Sequence, residues 1–222
     1  MTERVLVVAP HPDDETLGCG GTLMRLLQQG ATLAWLIVTG ISEQTGWTSH
    51  EVKQREGEIS QITKLLGFSR VFNLNLPTTL LDTIPMADMV RKFSAVFEKF
   101  EPEQLYLPNP SDVHTDHRIV FEAGAACSKW FRHSSVRRVL TYETLSETEF
   151  SLEPGAIFRP NYFVDISEYL ERKLEVMAVY QSELGSFPFP RSTQAIRALA
   201  NVRGAKAGFH AAEAFQLLLE RF

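Results

Sequence analysis

The sequence is poor in cysteine. Cys19 and Cys127 are the two cysteines among 222 residues, and they do not form a C-x-x-C pair. Two cysteines cannot make a disulfide framework, so we expect reduced thiols and a cytoplasmic protein.

Long apolar runs are also missing. The most apolar stretch, residues 31–38, has about half of the roughly 20 residues that a helix needs to cross a bilayer. The first residues, MTERVLVVAPHPDDE, do not place a basic segment before a long apolar stretch and a small-residue cleavage site. We therefore expect neither a membrane span nor a secretory signal.

An excess of basic residues is absent as well. The chain has 22 Lys and Arg against 27 Asp and Glu, which gives a formal net charge of −5. A general nucleic-acid binder needs a basic surface to neutralise phosphates, so we predict no nucleic-acid partner. Hydrophobic residues make up 44% and charged residues 22%, which is typical of a globular protein. The length predicts one domain over residues 1–222.

Strand-like and helix-like segments alternate along the first two thirds of the chain. The predicted strands are short, apolar runs at residues 5–9, 33–39, 71–76, 104–107 and 136–142. The predicted helices lie between or after them, at residues 22–29, 52–66, 88–99 and about 117–131. This alternation predicts an α/β domain with a mainly parallel sheet. In the C-terminal third we predict an edge strand at 162–166 and helices at 167–180 and 211–220.

Two polar loops, each directly after a predicted strand, carry most of the residues capable of chemistry. They are PHPDDE at residues 10–15 and DVHTDH at residues 112–117. In an open α/β sheet, ligands bind outside the carboxyl ends of the strands. Because both loops leave strands at that end, the topology can bring them together.

Imidazole and carboxylate groups together suit Zn²⁺, which in catalytic sites typically takes three protein ligands and leaves one position for water. We predict that His11, Asp14 and His117 bind one zinc ion, although Fe²⁺ could occupy the same site in the cell. Bound zinc lowers the pKa of a water ligand to about 7. Asp13 is a neighbouring carboxylate outside this set and is placed to act as a general base.

A second pair of side chains could stabilise an oxyanion. Attack on an amide carbonyl forms a negatively charged oxygen, and a protonated His114 could stabilise it. Asp116 could orient His114 and raise its pKa, as a nearby opposite charge does. The two loops thus supply metal ligands, a base and an electrophilic group without a nucleophilic Ser or Cys.

The glycines that follow the first loop could suggest a dinucleotide-binding fingerprint. Gly18, Gly20 and Gly21 lack the G-x-G-x-x-G spacing, and two carboxylates precede them where a pyrophosphate would lie. We interpret them as residues that let a helix pack closely on the sheet.

Both loops resemble motifs of one family. Residues 9–23, APHPDDETLGCGGTL, resemble the opening A-H-P-D-D-E-x-x-G-x-G-G motif of the LmbE-like (PIG-L) family of N-acetylglucosamine deacetylases. Residues 114–120, HTDHRIV, resemble its H-x-D-H-x-x-V motif. Weaker similarity extends almost to the C-terminus, at 55–58, 66–67, 142–143, 163–166 and 212–215.

The resemblance implies a Rossmann-like three-layer α/β fold without a dinucleotide at this place. It also implies an enzyme that removes acetyl from a small-molecule N-acetylated sugar or sugar conjugate. The residues that match the family's zinc ligands are His11, Asp14 and His117, and Asp13 matches its general base.

By the same resemblance, His114 stabilises the intermediate or protonates the leaving amine, with Asp116 as its partner. Arg55 matches an arginine that lines the substrate pocket. In one place the chain departs from the family pattern. Many members carry an aspartate directly after the Leu-Pro that follows the third strand, where this chain has Thr78 and Thr79.

Two other functions are compatible with the same residues. A metal-dependent hydrolase of esters or phosphoesters could use this centre, although phosphoryl transfer usually needs a second metal or a cationic clamp. A non-catalytic metal-binding protein could keep the fold, but structural zinc sites usually have four protein ligands. Self-association into a homo-oligomer is compatible with the sequence, which does not decide it.

Overall fold

A seven-stranded sheet runs through the computed structural model, which describes residues 2–152, 155 and 157–222. The strands are β1 (Arg4–Ala9), β2 (Thr32–Gly40), β3 (Arg70–Pro77), β4 (Gln104–Pro108), β5 (Arg138–Tyr142), β6 (Tyr162–Asp165) and β7 (Ala212–Glu220). Their order across the sheet is β3-β2-β1-β4-β5-β7-β6. Strands β1 to β5 are parallel, whereas β7 runs antiparallel to both β5 and β6.

Helices cover both faces of this sheet. The described residues form α1 (Asp14–Gln28), α2 (Ser49–Leu65), α3 (Met86–Phe100), α4 (Thr115–Cys127), α5 (Leu170–Met177) and α6 (Thr193–Ala207). Alternate residues of each strand face opposite sides, so Val5 and Val7 join one apolar cluster, whereas Leu6 and Val8 join another. The first cluster packs against α1, α2, α5 and α6, and the second against α3 and α4. This confirms the predicted Rossmann-like three-layer α/β fold with a mainly parallel sheet. Among the described residues, no helix combines the length and the apolar character needed to cross a bilayer.

The order of the strands creates a binding position at the carboxyl ends of the central strands. From β1 the chain proceeds outward through β2 to β3 and then returns to the other side of β1 to form β4 and β5. The carboxyl ends of β1 and β4 therefore lie side by side where the strand order reverses, which is where open α/β sheets bind their ligands. The loop after β1 enters α1, and the loop after β4 enters α4. Both predicted chemical loops meet there.

Helix α1 begins well before its predicted start at residue 22. Three glycines obscure this segment, because glycine has a low helix propensity. A Cβ atom at Gly18 would lie 2.3 Å from the Tyr142 ring, and one at Gly21 would lie 2.7 Å from Ile166 Cγ2. The glycines therefore allow close packing of the helix on the sheet, as we interpreted from their spacing.

The predicted helix at residues 211–220 is wrong, because this segment is β7. Its sequence, AEAFQLLLE, is rich in residues with high intrinsic helix propensity. However, β7 lies between β5 and β6 and pairs with both strands. Backbone hydrogen bonds to two neighbours, together with burial of its first four residues, outweigh that weak local preference. Strand β6 lies at the edge of the sheet, as predicted.

Helix α6 has no counterpart among the predicted elements, and α5 is shorter than the predicted helix at 167–180. Signals for α6 are present in the sequence. Ser192 caps the N-terminus by accepting the Ala195 N–H, and Gly208, with φ 82°, ends the helix. Its apolar face buries Ile196 and Ala200 in the core.

Candidate metal centre and active-site cavity

Three side chains from the two loops converge beyond the ends of β1 and β4. His11 lies in the loop after β1, Asp14 is the first residue of α1, and His117 is in the first turn of α4. Asp14 Oδ2 lies 3.4 Å from His11 Nδ1 and 3.4 Å from His117 Nε2. One ligand atom from each residue lies within 4.8 Å of the others. A tetrahedral zinc ion with bonds of about 2.0–2.1 Å keeps its ligand atoms about 3.4 Å apart, so this donor set fits a divalent metal ion.

Each of the two histidines is oriented by a carboxylate on its far side. His117 Nδ1 lies 2.8 Å from Asp112 Oδ2, and His11 Nε2 lies 3.1 Å from Asp116 Oδ2. A carboxylate that holds one imidazole nitrogen directs the other nitrogen toward a metal and raises its basicity. Asp112 is itself fixed, because its Oδ1 accepts hydrogen bonds from Asn109 and Thr148. Sequence reasoning assigned no role to Asp112, since only the fold shows which side chain it contacts.

The charges at this position favour a bound cation. Burial lowers the pKa of His11, but hydrogen bonds to Asp116 and Asp14 outweigh burial and raise it to about 9. Burial also lowers the pKa of His117, whereas Asp14 and Asp112 raise it well above its usual value overall. Burial raises the pKa of Asp14, yet His117 and His11 together bring it below its usual value. A divalent ion bound here would therefore displace protons from both histidines.

Asp13, the predicted base, is buried beside this centre in an unusual backbone conformation. Its φ is 134°, a value that residues with a side chain rarely adopt. The Asp13 N–H donates to Glu15 Oε2 at 3.0 Å, and the Tyr180 hydroxyl donates to Glu15 Oε1 at 2.9 Å. Burial, with the neighbouring charges of Asp14 and Glu183, raises the pKa of Asp13 well above its usual range. Tyr180 lies far from both motifs in sequence, so its contact with this segment was not predicted.

The predicted contact between the Asp116 carboxylate and the His114 ring is not formed. His114 is the N-cap residue of α4, and its Nδ1 accepts the Asp116 N–H at 3.1 Å. The Asp116 carboxylate instead faces His11 and accepts the Thr79 N–H at 2.8 Å. Burial, with the charges of His11 and His117, lowers the pKa of His114 to about 4, whereas we expected an increase. Because its Nδ1 accepts a hydrogen bond, a neutral His114 carries its proton on Nε2 and is a donor there.

Comparison with known proteins assigns the family. Residues 6–128 match the family model PIG-L, described as GlcNAc-PI de-N-acetylase. The chain belongs to the PIG-L family. It is 27% identical over 234 residues to diacetylchitobiose deacetylase of Thermococcus kodakarensis, covering 97% of this chain and 83% of that protein.

Two further relatives support this assignment. A deacetylase of Escherichia coli strain K12 without an established substrate is 28% identical over 185 residues, or 80% of this chain and 90% of that protein. The crystal structure of a conserved protein from Thermus thermophilus superposes with a TM-score of 0.80 at 26% identity. That likeness covers 100% of this chain and 97% of the Thermus chain.

In this PIG-L protein, the candidate metal centre lies in a cavity of about 370 Å³. The predicted base, metal ligands and His114 all line it. Arg55 lines it as well, but its donors bind protein atoms. Its Nη1 donates to the Pro12 carbonyl at 2.8 Å, and its Nη2 donates to Glu183 Oε1 at 2.5 Å. Arg55 Nε lies 3.2 Å from Glu58 Oε2.

The segment after β3 approaches the site through its backbone. Thr78 lines the cavity, and Thr79 adopts φ 62° while its N–H donates to the Asp116 carboxylate. This segment therefore presents a hydroxyl to the cavity and a backbone amide to Asp116.

Proposed function

We propose that this chain is a zinc-dependent N-deacetylase that hydrolyses the N-acetyl amide of an amino sugar or sugar conjugate. The observation that carries the proposal is the convergence of His11, Asp14 and His117 beside the buried Asp13, at the base of one cavity. Three protein ligands leave a coordination position for water, as catalytic zinc sites require. Named relatives in the PIG-L family include a diacetylchitobiose deacetylase.

Zinc bound by the three ligands supplies Lewis-acid polarisation of the substrate carbonyl and a water of lowered pKa. Asp13 accepts a proton from the attacking water, for which its position beside the ligands is suited. A bond forms between the water oxygen and the acetyl carbon, the bond from that carbon to nitrogen breaks, and a proton passes to the nitrogen. The products are acetate and a free amine.

His114 has the geometry of a neutral hydrogen-bond donor. It lines the cavity, and its Nδ1 is held by the Asp116 N–H, so the Nε2 proton is available to the reacting group. In this proposal His114 stabilises the oxygen that becomes negative or donates to the leaving nitrogen. Asp116 acts indirectly. Its carboxylate orients His11, and its N–H holds His114 at the N-terminus of α4.

Two imidazoles and one carboxylate support the choice of zinc, although Fe²⁺ could bind the same ligands. The catalytic unit in this proposal is the whole of residues 1–222, because β1 near one end and β7 near the other belong to the same sheet. The proposal places the enzyme in the cytoplasm, where cysteines such as these stay reduced.

The test begins with the wild-type protein, stripped of metal by a chelator and reloaded with Zn²⁺ or Fe²⁺. Mass spectrometry follows acetate and amine release from a panel of N-acetylated sugars, with O-acetyl esters and phosphoesters in parallel. We expect activity to disappear on chelation and to return with about one ion per chain. Exclusive hydrolysis of esters or phosphoesters would contradict the proposal.

A variant pair tests the base. Asp13→Asn should lower turnover by about 10² to 10⁴-fold while the metal content is unchanged, because a general base contributes roughly that much. Asp82→Asn removes an exposed carboxylate away from the lining of the cavity and serves as the control. Near-normal turnover by Asp13→Asn would show that the base is another group.

A further inference from the structure

The cavity contains two cations, and a single carboxylate binds both. Glu183 Oε1 accepts from Arg55 Nη2 at 2.5 Å, and Glu183 Oε2 lies 3.3 Å from Arg191 Nη2. Arg191 Nε donates to the Glu183 carbonyl at 3.0 Å, and its Nη1 donates to Ser146 Oγ at 3.2 Å. Every nitrogen of the two guanidinium groups therefore has a partner or a carboxylate neighbour within the protein. An anionic ligand group would have to displace Glu183 to pair with either arginine.

The carboxylates and guanidinium groups that line the cavity, taken together, do not favour an anion. There are five carboxylates, Glu183 included, and the two guanidinium groups of Arg55 and Arg191. The carboxylates outnumber the guanidinium groups, and both guanidinium groups are already paired with Glu183. Like charges that face each other across a binding surface repel, so this lining disfavours a ligand with a carboxylate or phosphate outside the reacting amide.

Besides the charged groups, two kinds of side chain line the cavity. The apolar ones are Val52 and Ile59, which lie on one face of α2, and Trp47 from the preceding loop. Trp47 is 40% exposed, so its ring is accessible to a ligand. The amide side chains are Asn73 and Asn75, at the end of β3. The Asn73 oxygen accepts the Asn75 N–H at 2.9 Å, which leaves the Asn73 NH₂ group and the Asn75 amide for a ligand.

From this arrangement we propose that the outer part of the cavity is a subsite for an uncharged pyranose ring. Its ligand is a neutral disaccharide whose reacting N-acetyl group lies at the metal centre. A pyranose has a flat face of C–H groups that packs against an aromatic ring, and hydroxyl groups at its edge that bind amides. The Glu183 clamp on Arg55 and Arg191 excludes anionic aglycones from the same space. This inference rests on the proposed N-deacetylase function.

The first experiment compares substrates on the wild-type, zinc-loaded enzyme. The neutral substrate is N,N′-diacetylchitobiose, the anionic ones are N-acetylglucosamine malate and N-acetylglucosamine 1-phosphate, and the reference is N-acetylglucosamine. We expect kcat/KM for the disaccharide to exceed that of each anionic conjugate by at least about tenfold, and that of the monosaccharide by about fivefold. An anionic conjugate that equals or exceeds the disaccharide would overturn the inference.

Variants of Trp47 test the ring-stacking part of the subsite. Trp47→Ala should reduce the ratio of kcat/KM for disaccharide over monosaccharide at least about threefold, and Trp47→Phe should restore most of it. Trp130→Ala is the matched control, because Trp130 is 66% exposed and does not line the cavity. An unchanged ratio in Trp47→Ala would remove the ring-stacking part of the proposal.

Glu183→Gln tests the exclusion of anionic aglycones. It removes one negative charge and releases donors of both arginines, so kcat/KM for the anionic conjugates should rise at least about fivefold relative to the disaccharide. Glu98→Gln alters an exposed carboxylate outside the cavity lining and is the control. Thermal melting of each variant shows whether it is folded, and the substrate comparison on the wild type does not depend on any variant.

If none of the acetylated sugars, N-acetylglucosamine included, is hydrolysed, the proposed function fails. Hydrolysis with the wrong charge preference defeats the subsite alone.

Discussion

The carboxylate behind His117 offers the sharpest test of the metal centre. Asp112 Oδ2 accepts the Nδ1 proton of His117 at 2.8 Å, and both side chains are almost completely buried. Asp112→Asn places an amide there. Its oxygen can still accept from Asn109 and Thr148, but its NH₂ group then faces Nδ1. His117 can donate no hydrogen bond to that group, so the tautomer with the proton on Nε2 is favoured. That nitrogen is the one directed at Asp14 and the metal position.

The expected loss follows from this change of tautomer. Removing the partner of a metal-ligating histidine typically costs about 10 to 100-fold in metal affinity, or about 1.4 to 2.7 kcal/mol. Competition by protons partly offsets this loss. The Asp112 charge also raises the pKa of His117, so in its absence a proton competes less strongly with zinc for that histidine. A divalent ion carries twice the charge of a proton and loses more of the attraction to Asp112, so the variant should bind zinc more weakly at every pH. The deficit should widen as the pH rises and the proton competes less.

The assay is competition for Zn²⁺ against a chelator of known affinity, repeated from about pH 7 to 9, with elemental analysis of the ion content. Glu143→Gln is the control, because Glu143 is another largely buried carboxylate and pairs with Arg203 instead of the site. Melting temperatures show that both variants are folded. Zinc affinity of Asp112→Asn within about twofold of wild type across the pH range would refute the reasoning.

Three further predictions concern the support of the site and the fold. Tyr180→Phe removes the hydrogen bond to Glu15 and should lower kcat by roughly 5 to 10-fold, or about 1 kcal/mol, with unchanged metal content; an unaffected kcat would show that Asp13 is held without it. Gly18→Ala pushes a methyl group into a buried ring and should reduce the free energy of unfolding in urea by about 1–3 kcal/mol, whereas Gly57→Ala, exposed within α2, should increase it by about 0.5–1 kcal/mol. Equal effects would argue against close packing of α1. Because the pKa values of His11 and His117 are both raised, that of His11 to about 9, two protons must leave on metal binding, so zinc affinity should fall by up to about 100-fold for each pH unit below about 9; a flat profile in a chelator titration would contradict this.

Much of the fold could be predicted from local sequence patterns. Four of the five parallel strands could be predicted because each is a short apolar run buried on both faces, whereas in β3 apolar and polar residues alternate and several are exposed. Strand β7 was not predicted, because AEAFQLLLE favours helix locally and becomes a strand only by pairing with two others. Helix α6 was missed although Ser192 and Gly208 mark its ends, since its apolar face is narrow and its exposed face is mixed. Local propensity therefore failed where long-range pairing or packing decides the structure.

For the site, separation along the sequence explains which contacts were predicted. His11, Asp13 and Asp14 lie within one turn, so their proximity follows from the chain itself, and the second loop could be joined to them by the rule for strand ends. The partners behind these residues could not be found in this way. Tyr180 reaches Glu15 from 165 residues away, and a side chain at that separation leaves no periodic signal.

Residue type and spacing alone predict the family and the candidate chemical groups, because two short loops carry the predicted metal ligands and the predicted base next to recognisable strands. Tertiary structure alone decided how those groups are held: Asp112 behind His117, Asp116 turned toward His11 and away from His114, and Glu183 bound to both arginines of the cavity. The physical reason is that residue type and spacing specify what a side chain can donate or accept. Its partner, its burial and therefore its pKa depend on which distant elements pack against it.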